Sequence, residues 1–287
     1  MSLITTYNGC RAWLDANVTP GKTVGFVPTM GYLHEGHLSL IRAAKAENDF
    51  VIVSVFVNPT QFGPGEDYEK YPRDIERDYG LAVSAGADMV FSPELREIYD
   101  AQASTFVETS GRLSRKLCGT SRPGHFRGVT TVVNILLNIV GPDRVYMGQK
   151  DMQQALIVKK MVRDLRMPIE VITCPIIREA DGLAMSSRNV YLSKEERMQA
   201  FCLNRGLQKA ERYLKSGADN CTSVAALREI IKQEISREPL ADIDYIEILD
   251  GETLEDIEVI GSSRQALAAV AVRFGKTRLI DNRILAI

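Results

Sequence analysis

The sequence lacks an excess of one charge, a paired-cysteine motif and a long apolar run. Its 35 basic and 37 acidic residues leave a formal net charge of -2, so no field of one sign would hold it to nucleic acid or to a membrane surface. No apolar run approaches the ~20 residues that span a bilayer. Its five cysteines lie far apart, without zinc-like spacing, and are expected to be reduced thiols: Cys10, Cys118, Cys174, Cys202 and Cys221.

Targeting and low-complexity signals are also missing. The N-terminal MSLITTYNGCRAWLDA has no basic start followed by an apolar block, so we do not expect a signal peptide. We find no internal repeat. With 45% hydrophobic and 25% charged residues, the composition is that of an ordinary globular protein. These features predict a cytoplasmic protein without a nucleic-acid or membrane partner, and they leave its chemistry open.

Strand-like and helix-like segments alternate through the first part of the chain. Strands are predicted at 24–28, 50–57, 88–91, 145–147 and 169–173, and the helices between them include a buried one at 129–140. This alternation predicts a doubly wound, Rossmann-like parallel sheet that binds ligands beyond the carboxyl ends of its strands. After about residue 176 the pattern changes to charged amphipathic helices (194–214, 223–235) and alternating strands. We therefore expect an α/β domain at 1–176 and a smaller α+β domain at 177–287.

Histidine is scarce, with three in 287 residues. Two of them, His34 and His37, lie in PTMGYLHEGH (28–37), where the first predicted strand turns into a helix. On a first helical turn these imidazoles point the same way, beside unpaired backbone N–H groups that bind phosphate. Gly31 and Gly36 let the backbone approach a ligand. The alternatives are a helix start with two surface histidines, or a metal pair, which no further histidine or paired cysteine would complete.

Four further segments carry polar groups at element boundaries. In GQKDMQQ (148–154), Lys150 is a candidate cation for a phosphoryl group, and Asp151 could orient it, help to hold Mg²⁺, or simply cap a helix. In NPTQF (58–62), amide side chains suit a carboxylate or hydroxyl substrate. Arginine and serine in READGLAMSSRN (178–189) suit phosphate oxygens. The fourth segment, SRPGHFRG (121–128), holds the third histidine between two arginines. Each of these strings also occurs in ordinary turns and surface loops.

Two short strings resemble the end of a phosphate-binding loop but lack its upstream glycine. GKT occurs at 21–23 and at 275–277, where Ala16 and Val270 occupy the position that the loop requires to be glycine. No GxGxxG follows the first predicted strand. A dehydrogenase interpretation therefore lacks its main support.

Taken together, five strings resemble the pantothenate synthetase family, which belongs to the HIGH-motif nucleotidyltransferase superfamily. They are PTMGYLHEGH (28–37), FVNPTQFGPGEDYEKYPR (56–73), GHFRGVTTVVN (124–134), DRVYMGQKDMQQ (143–154) and READGLAMSSRNVYLS (178–193). The resemblance implies ATP-dependent joining of pantoate to β-alanine through a pantoyl adenylate, with release of pyrophosphate and AMP, in pantothenate and coenzyme A biosynthesis. It also implies Mg²⁺, a homodimer, and a C-terminal lid that carries the MSSRN signature.

The resemblance further implies roles for individual residues. His37 would be the catalytic proton donor, and His34, Lys150 and Arg188 would complete the catalytic group. Gln61 and Gln154 would bind pantoate, with Gln61 also near β-alanine. The ATP site would be lined by Met30, Gly31, Tyr32, Leu33, His34, Glu35, Gly36, His37, Gly148, Gln149, Lys150, Asp151, Ile177, Met185, Ser186, Ser187 and Arg188.

Two other functions compete with this interpretation. Another adenylyltransferase of the superfamily would share the histidine turn but would not need Gln61 and Gln154 to hold a hydroxy acid. A nucleotide-binding regulatory protein without turnover would have little use for His34, His37 and Lys150 aimed at a leaving pyrophosphate.

Overall fold

The computed structural model describes residues 2–216, 221–261 and 265–286. The chain divides into two compact units. The first comprises Met1–Ser110 and Arg122–Pro175, and the second comprises Gly111–Ser121 and Ile176–Ile287. Within the described ranges, no helix is both long enough and apolar enough to cross a membrane.

A six-stranded parallel sheet forms the centre of the first unit. In chain order its strands are β1 (Ser2–Ile4), β2 (Val24–Thr29), β3 (Phe50–Val55), β4 (Met89–Phe91), β5 (Arg144–Gly148) and β6 (Glu170–Cys174). They lie in the order β1-β4-β3-β2-β5-β6, and every neighbouring pair is parallel. The predicted doubly wound α/β fold is confirmed. Because the chain leaves β2 toward β3 and later returns to the other side of β2 with β5, the topological switch point lies between β2 and β5.

Helices cover both faces of this sheet. They are α1 (Tyr7–Asn17), α2 (Glu35–Glu47), α3 (Ile75–Ser84), α4 (Leu95–Ile98), α7 (His125–Val140) and α8 (Met152–Asp164), while α5 (Arg112–Arg115) and α6 (Cys118–Ser121) belong to the second unit. The central strand β3 shows why two layers are needed. Val51 and Val53 pack into one apolar cluster and Ile52 into another, on opposite faces, as period-2 alternation in a fully buried strand requires. The predicted helix at 129–140 is confirmed and begins four residues earlier.

The second unit is built on antiparallel strands. These are β7 (Cys221–Ser223), β8 (Ala241–Asp250), β9 (Val259–Gly261), β10 (Ala266–Phe274) and β11 (Thr277–Leu285), with sheets ordered β11-β10-β8 and β7-β9. Its longer helices are α9 (Lys194–Ala200), α10 (Cys202–Ser216) and α11 (Val224–Ile235). The single helix predicted at 194–214 is therefore two helices, divided at Phe201. The α+β character predicted for this region is confirmed.

Residues 111–121 differ from the predicted domain division, because they belong to the second unit although 1–176 was expected to be continuous. Polar contacts within that unit explain their place. Lys116 forms an ion pair with Asp256, and the Ser121 hydroxyl donates to Asp244 at 2.9 Å. Contacts distant in sequence, these two among them, thus hold a segment whose local sequence gives no such signal.

The cysteines were expected to be reduced thiols. Cys10, Cys118, Cys174 and Cys202 are buried free thiols, and burial raises the pKa of Cys10 to about 11 and that of Cys202 to about 12. The side chain of Cys221 lies outside the described part of the chain.

Candidate functional site

The turn that follows β2 is held in an unusual backbone conformation. Gly31 and Tyr32 have positive φ angles of 85° and 51°. A Cβ at Gly31 would lie 2.8 Å from Val55 Cγ1 and 2.9 Å from Asp78 Oδ2, so a side chain there would be both strained and crowded. The sequence therefore needs glycine at this position to bring the chain around to the histidines.

Asp78 on α3 holds this turn in place. Its carboxylate accepts hydrogen bonds from the backbone N–H groups of Tyr32 at 2.6 Å and Leu33 at 2.7 Å, and only 1% of the residue is exposed. Burial raises the pKa of Asp78, while the two N–H donors and Arg77 act in the opposite direction. Arg77 also donates to the Leu33 carbonyl at 2.8 Å. Sequence analysis missed Asp78, because one acidic residue on an amphipathic helix gives no local sign of a partner more than 40 positions earlier.

The structure brings the His34 and His37 rings together at the start of α2. Their centroids lie 4.0 Å apart, with 31° between the ring planes. The His34 backbone N–H donates to His37 Nδ1 at 3.3 Å, so a neutral His37 carries its proton on Nε2. Burial, His34 and Lys150 lower the pKa of His37 well below its usual value. His37 is therefore a neutral imidazole at pH 7 with a single N–H donor.

Gly148 ends β5 on the other side of the switch point. A 3-10 turn, Gln149–Asp151, leads from it into α8. The Nζ atom of the half-buried Lys150 lies 3.6 Å from the Asp151 carboxylate. The positive charge of Lys150 contributes to the lowered pKa of His37. The Asp151 side chain makes no capping hydrogen bond to α8, which removes the support for a capping role. The predicted groups at the ends of β2 and β5 thus meet at one edge of the sheet.

Gln61 lies in the 3-10 turn Pro59–Gln61 that follows β3. Its Nε2 donates to Met30 Sδ at 3.1 Å, and its Oε1 accepts from Asn58 Nδ2 at 3.0 Å. Asn58 is 1% exposed and Gln61 is 8% exposed. The predicted pantoate-binding Gln61 and the predicted ATP-binding Met30 are therefore neighbours. Gln154 lies on the first turn of α8 and is half-buried.

The second unit carries the remaining predicted residues on one loop. The Met185 N–H donates to the Ile177 carbonyl at 3.0 Å, which pairs the predicted adenine-contacting residue with the start of the MSSRN string. Ser186 caps the 3-10 turn Ser187–Tyr191 by accepting from the Arg188 N–H at 3.3 Å. Ser187 is buried. This arrangement presents serine and arginine at the beginning of a helical turn.

Ion pairs fix the base of that loop. Arg178 donates to both oxygens of the buried Asp281, at 2.7 and 2.9 Å, and to the Gly182 carbonyl at 3.1 Å. Arg197 pairs with Glu179 and Asp181. Arg178 is therefore a structural residue of the segment 178–189, whose candidate phosphate-binding arginine is Arg188.

The described residues contain no cluster of three or more histidine, cysteine, aspartate or glutamate side chains that could hold a metal ion. The metal-pair interpretation of His34 and His37 consequently gains no third ligand.

The doubly wound sheet, with two histidines at a helix start and a lysine across the switch point, defines an α/β protein built to bind a phosphate-bearing ligand. Comparison with known proteins gives the particular family. The family model described as Pantoate-beta-alanine ligase matches residues 2–284. The chain belongs to this family.

Curated relatives resemble the chain over almost its whole length. A pantothenate synthetase of Acetivibrio thermocellus is 52% identical over 285 residues, covering 99% of each chain. Another from Thermotoga neapolitana is 54% identical over 285 residues, covering 99% of this chain and 100% of the relative.

Solved structures show the same similarity. Pantothenate synthetase from Thermus thermophilus has a TM-score of 0.91 at 46% identity, with 99% of both chains covered. Pantoate-beta-alanine ligase from Francisella tularensis, solved as a complex with Beta-gamma ATP and Beta-alanine, has a TM-score of 0.79 at 34% identity, covering 99% of this chain and 97% of that one.

Proposed function

We propose that the protein condenses pantoate with β-alanine at the expense of ATP, giving pantothenate, AMP and pyrophosphate through a pantoyl adenylate. The observation that carries the proposal is the His34–His37 turn facing Lys150 at the switch point, in a chain of the pantoate–β-alanine ligase family. Full-length similarity to pantothenate synthetases supports the choice of substrates. The relative solved with Beta-gamma ATP and Beta-alanine supports a nucleotide and an amino acid as co-substrates.

In the first half-reaction, a pantoate carboxylate oxygen attacks the α-phosphorus of ATP. A new P–O bond forms, the α–β phosphoanhydride bond breaks, and negative charge develops on the departing pyrophosphate. Lys150 supplies a positive charge, and His37 donates its Nε2–H to a phosphate oxygen. Because Nδ1 of His37 already accepts a backbone hydrogen bond, the ring orientation is set before substrate arrives, which favours transition-state stabilisation.

The first unit is proposed to contribute two strings to the ATP site. Met30–His37 follows β2, where main-chain N–H groups at the start of α2 attract phosphate. Gly148–Asp151 follows β5. In the second unit, Ile177 is assigned to the adenine, and Met185, Ser186, Ser187 and Arg188 are assigned to the phosphates, because a guanidinium fork and short hydroxyl donors match phosphate oxygens.

In the second half-reaction, the β-alanine amine attacks the carbonyl carbon of the adenylate. A C–N bond forms, the C–O bond breaks with its electron pair leaving on AMP, and the proton lost by the amine nitrogen passes to solvent water. Gln61 and Gln154 are assigned to pantoate, with Gln61 also close to β-alanine. Amide side chains suit this task because they offer both donors and acceptors to a hydroxy acid.

Three further assignments complete the proposal. Mg²⁺ is expected to accompany ATP, bound mainly by phosphate oxygens, with Asp151 as the nearby carboxylate, because Mg²⁺ in phosphoryl-transfer sites typically combines one or two carboxylates with substrate phosphates. The enzyme is expected to act in the cytoplasm. It is expected to be a homodimer, which sedimentation would test directly.

The decisive experiment measures pyrophosphate release from ATP and Mg²⁺. We expect release only when pantoate is added, and AMP with pantothenate once β-alanine follows. Omission of pantoate is the matched control, and an adenylyltransferase with a different acceptor would release nothing in either case. Folded protein that releases no pyrophosphate in response to pantoate would refute the proposed function.

A further inference from the structure

The first turn of α7, together with Arg122 three residues before that helix, packs against the turn that carries Gln61. The string that forms this contact, SRPGHFRG, has no part in the mechanism proposed above. The only histidine of this string, His125, is 8% exposed, although it lies between two arginines in the sequence. A buried histidine beside a cation needs a specific reason.

The hydrogen bonds of His125 provide that reason. His125 Nδ1 lies 2.8 Å from the Gln61 carbonyl oxygen, and Nε2 lies 3.0 Å from Arg122 Nη1. A guanidinium can only donate and a carbonyl can only accept, so the ring must be neutral, with its proton on Nδ1. Burial and Arg122 lower the pKa of His125 to about 4, in agreement with a neutral ring.

Arg122 is fixed in turn by Glu66, on the loop after Gln61. Its Nε and Nη2 donate to the two Glu66 carboxylate oxygens at 2.7 and 2.6 Å, and Nη2 also reaches the Gln61 carbonyl at 3.3 Å. Such a bidentate pair fixes the plane of the guanidinium. The Gln61 carbonyl therefore receives donors from both His125 and Arg122.

Gly128 brings the two segments into direct main-chain contact. A Cβ placed there would lie 2.4 Å from the Thr60 carbonyl oxygen and 2.7 Å from the Gln61 nitrogen. The Gly128 carbonyl accepts from Asn58 Nδ2 at 3.2 Å, and the same Nδ2 donates to Gln61 Oε1. The main chain of Gln61 is thus held by α7, and its side-chain amide is held through Asn58.

These contacts determine what the Gln61 amide can offer. Asn58 donates to Oε1, and Met30 Sδ accepts one of the two Nε2 hydrogens. One N–H donor and one oxygen lone pair remain for a ligand. The direction in which this donor and this lone pair point depends on the position of the Gln61 main chain. His125 and Arg122 fix that position by hydrogen-bonding to the Gln61 carbonyl.

We propose that His125 and Arg122 are positioning residues that hold the Gln61 amide in the orientation that binds the hydroxy-acid substrate. The inference rests on the proposed function, because it takes pantoate as the acid. Beyond that function, it assigns the SRPGHFRG string a role in binding the hydroxy acid alone. The string takes no direct part in ATP binding or in the chemical step.

The test compares His125→Ala with His125→Asn and Arg122→Lys. Asparagine places an amide N–H close to the position of Nδ1–H and keeps the donor to the Gln61 carbonyl, whereas alanine removes it. Lysine keeps the charge of Arg122 but loses the planar fork. Asn138→Ala is the matched control, since Asn138 is exposed further along the same helix. The Kd for pantoate is measured by calorimetry, the KM for ATP by pyrophosphate release, and folding by circular dichroism.

We expect His125→Ala to weaken pantoate binding about tenfold or more, on the scale of one lost buried hydrogen bond. His125→Asn should recover most of this loss, and Arg122→Lys should give an intermediate loss. The KM for ATP should change less than about twofold in all three variants, because His125 and Arg122 hydrogen-bond to Gln61 and Glu66 and not to residues assigned to ATP. If His125→Ala does not fold, the comparison of His125→Asn and Arg122→Lys with Asn138→Ala decides.

Two results would overturn the inference. One is unchanged pantoate affinity in folded His125→Ala, or in Arg122→Lys if the alanine variant does not fold. The other is an equal loss of affinity for pantoate and ATP, which would indicate a purely structural role. Both differ from failure of the proposed function, in which the unsubstituted enzyme itself makes no pantothenate from pantoate, β-alanine and ATP.

Discussion

Acid should destabilise the first unit through His125, and the size of the effect follows from its pKa. The folded protein lowers the pKa of His125 to about 4, first through burial and then through Arg122, against the opposing effects of the Gln61 carbonyl, Glu66 and Asp151. In the unfolded chain a histidine titrates near its ordinary value of about 6.5. Below that pH the unfolded state binds a proton that the folded state does not, so stability is present above about pH 6.5 and is lost as the pH falls toward 4.

The expected loss is substantial. With these two pKa values, the proton-linkage relation gives a decrease of about 2 kcal/mol in the free energy of unfolding between pH 7 and pH 5 from this one ring. His125→Asn removes the titrating group while keeping a donor to the Gln61 carbonyl. The difference between the two proteins isolates the contribution of His125 from those of His34 and His37.

Tryptophan fluorescence provides a suitable assay. The single tryptophan, Trp13, packs edge-to-face against Phe50 with centroids 6.0 Å apart, in the unit that contains His125. Urea unfolding is followed by this signal at pH 7, 6 and 5. The free energy of unfolding should decrease more steeply with falling pH for the unsubstituted protein than for His125→Asn. Equal decreases of the free energy of unfolding in the two proteins would refute the lowered pKa of His125 in the folded state.

Three other predictions concern groups that hold the site. His37→Ala should slow adenylate formation by ~10² or more, the scale of losing one transition-state donor; near-normal single-turnover kinetics would remove His37 from the mechanism. Asp78→Asn should destabilise the first unit by about 2 kcal/mol, because an amide can accept a hydrogen bond from only one of the two backbone N–H groups that now donate to the carboxylate. Urea unfolding followed by Trp13 fluorescence would measure this loss, with Asp15→Asn at an exposed position as the control. Equal stability of the two variants would contradict the prediction. Asp281→Asn should lower the free energy of unfolding of the second unit by about 3 kcal/mol, because it removes the negative charge and one of the two oxygens that pair with Arg178. Denaturation followed by circular dichroism should show this, and an unchanged unfolding midpoint would count against it.

Sequence patterns were sufficient for the parts of the fold in which neighbouring residues carry the signal. Val51–Val53 predicted a strand buried on both faces, and the histidine spacing placed two imidazoles on one helical turn. Neither of these two patterns predicts the order of the strands in the sheet. The rule that ligands bind beyond the carboxyl ends of parallel strands nevertheless predicted that His37 and Lys150 lie at one edge of the sheet. The structure adds that this edge is the switch point between β2 and β5.

Long-range contacts account for what the sequence could not predict. Asp78 holds the histidine turn, and Asp281 holds Arg178, yet both are single acidic residues on otherwise ordinary elements. The same holds for Lys116 and Asp256, whose ion pair helps place residues 111–121 in the second unit. No local pattern distinguishes such residues from solvent-exposed charges, because their role depends on a partner that only the folded chain brings near.

The missing side chain of Gly128 has a consequence for inhibitor design. Next to Gln61 the protein packs main chain against main chain, with Gly128 against Thr60 and Gln61. Any substitution of Gly128 adds a side chain that would displace the Gln61 turn, and with it the amide that recognises the substrate. A substitution at Gly128 that weakens the binding of a compound hydrogen-bonded to this amide would therefore also weaken the binding of the enzyme's own substrate.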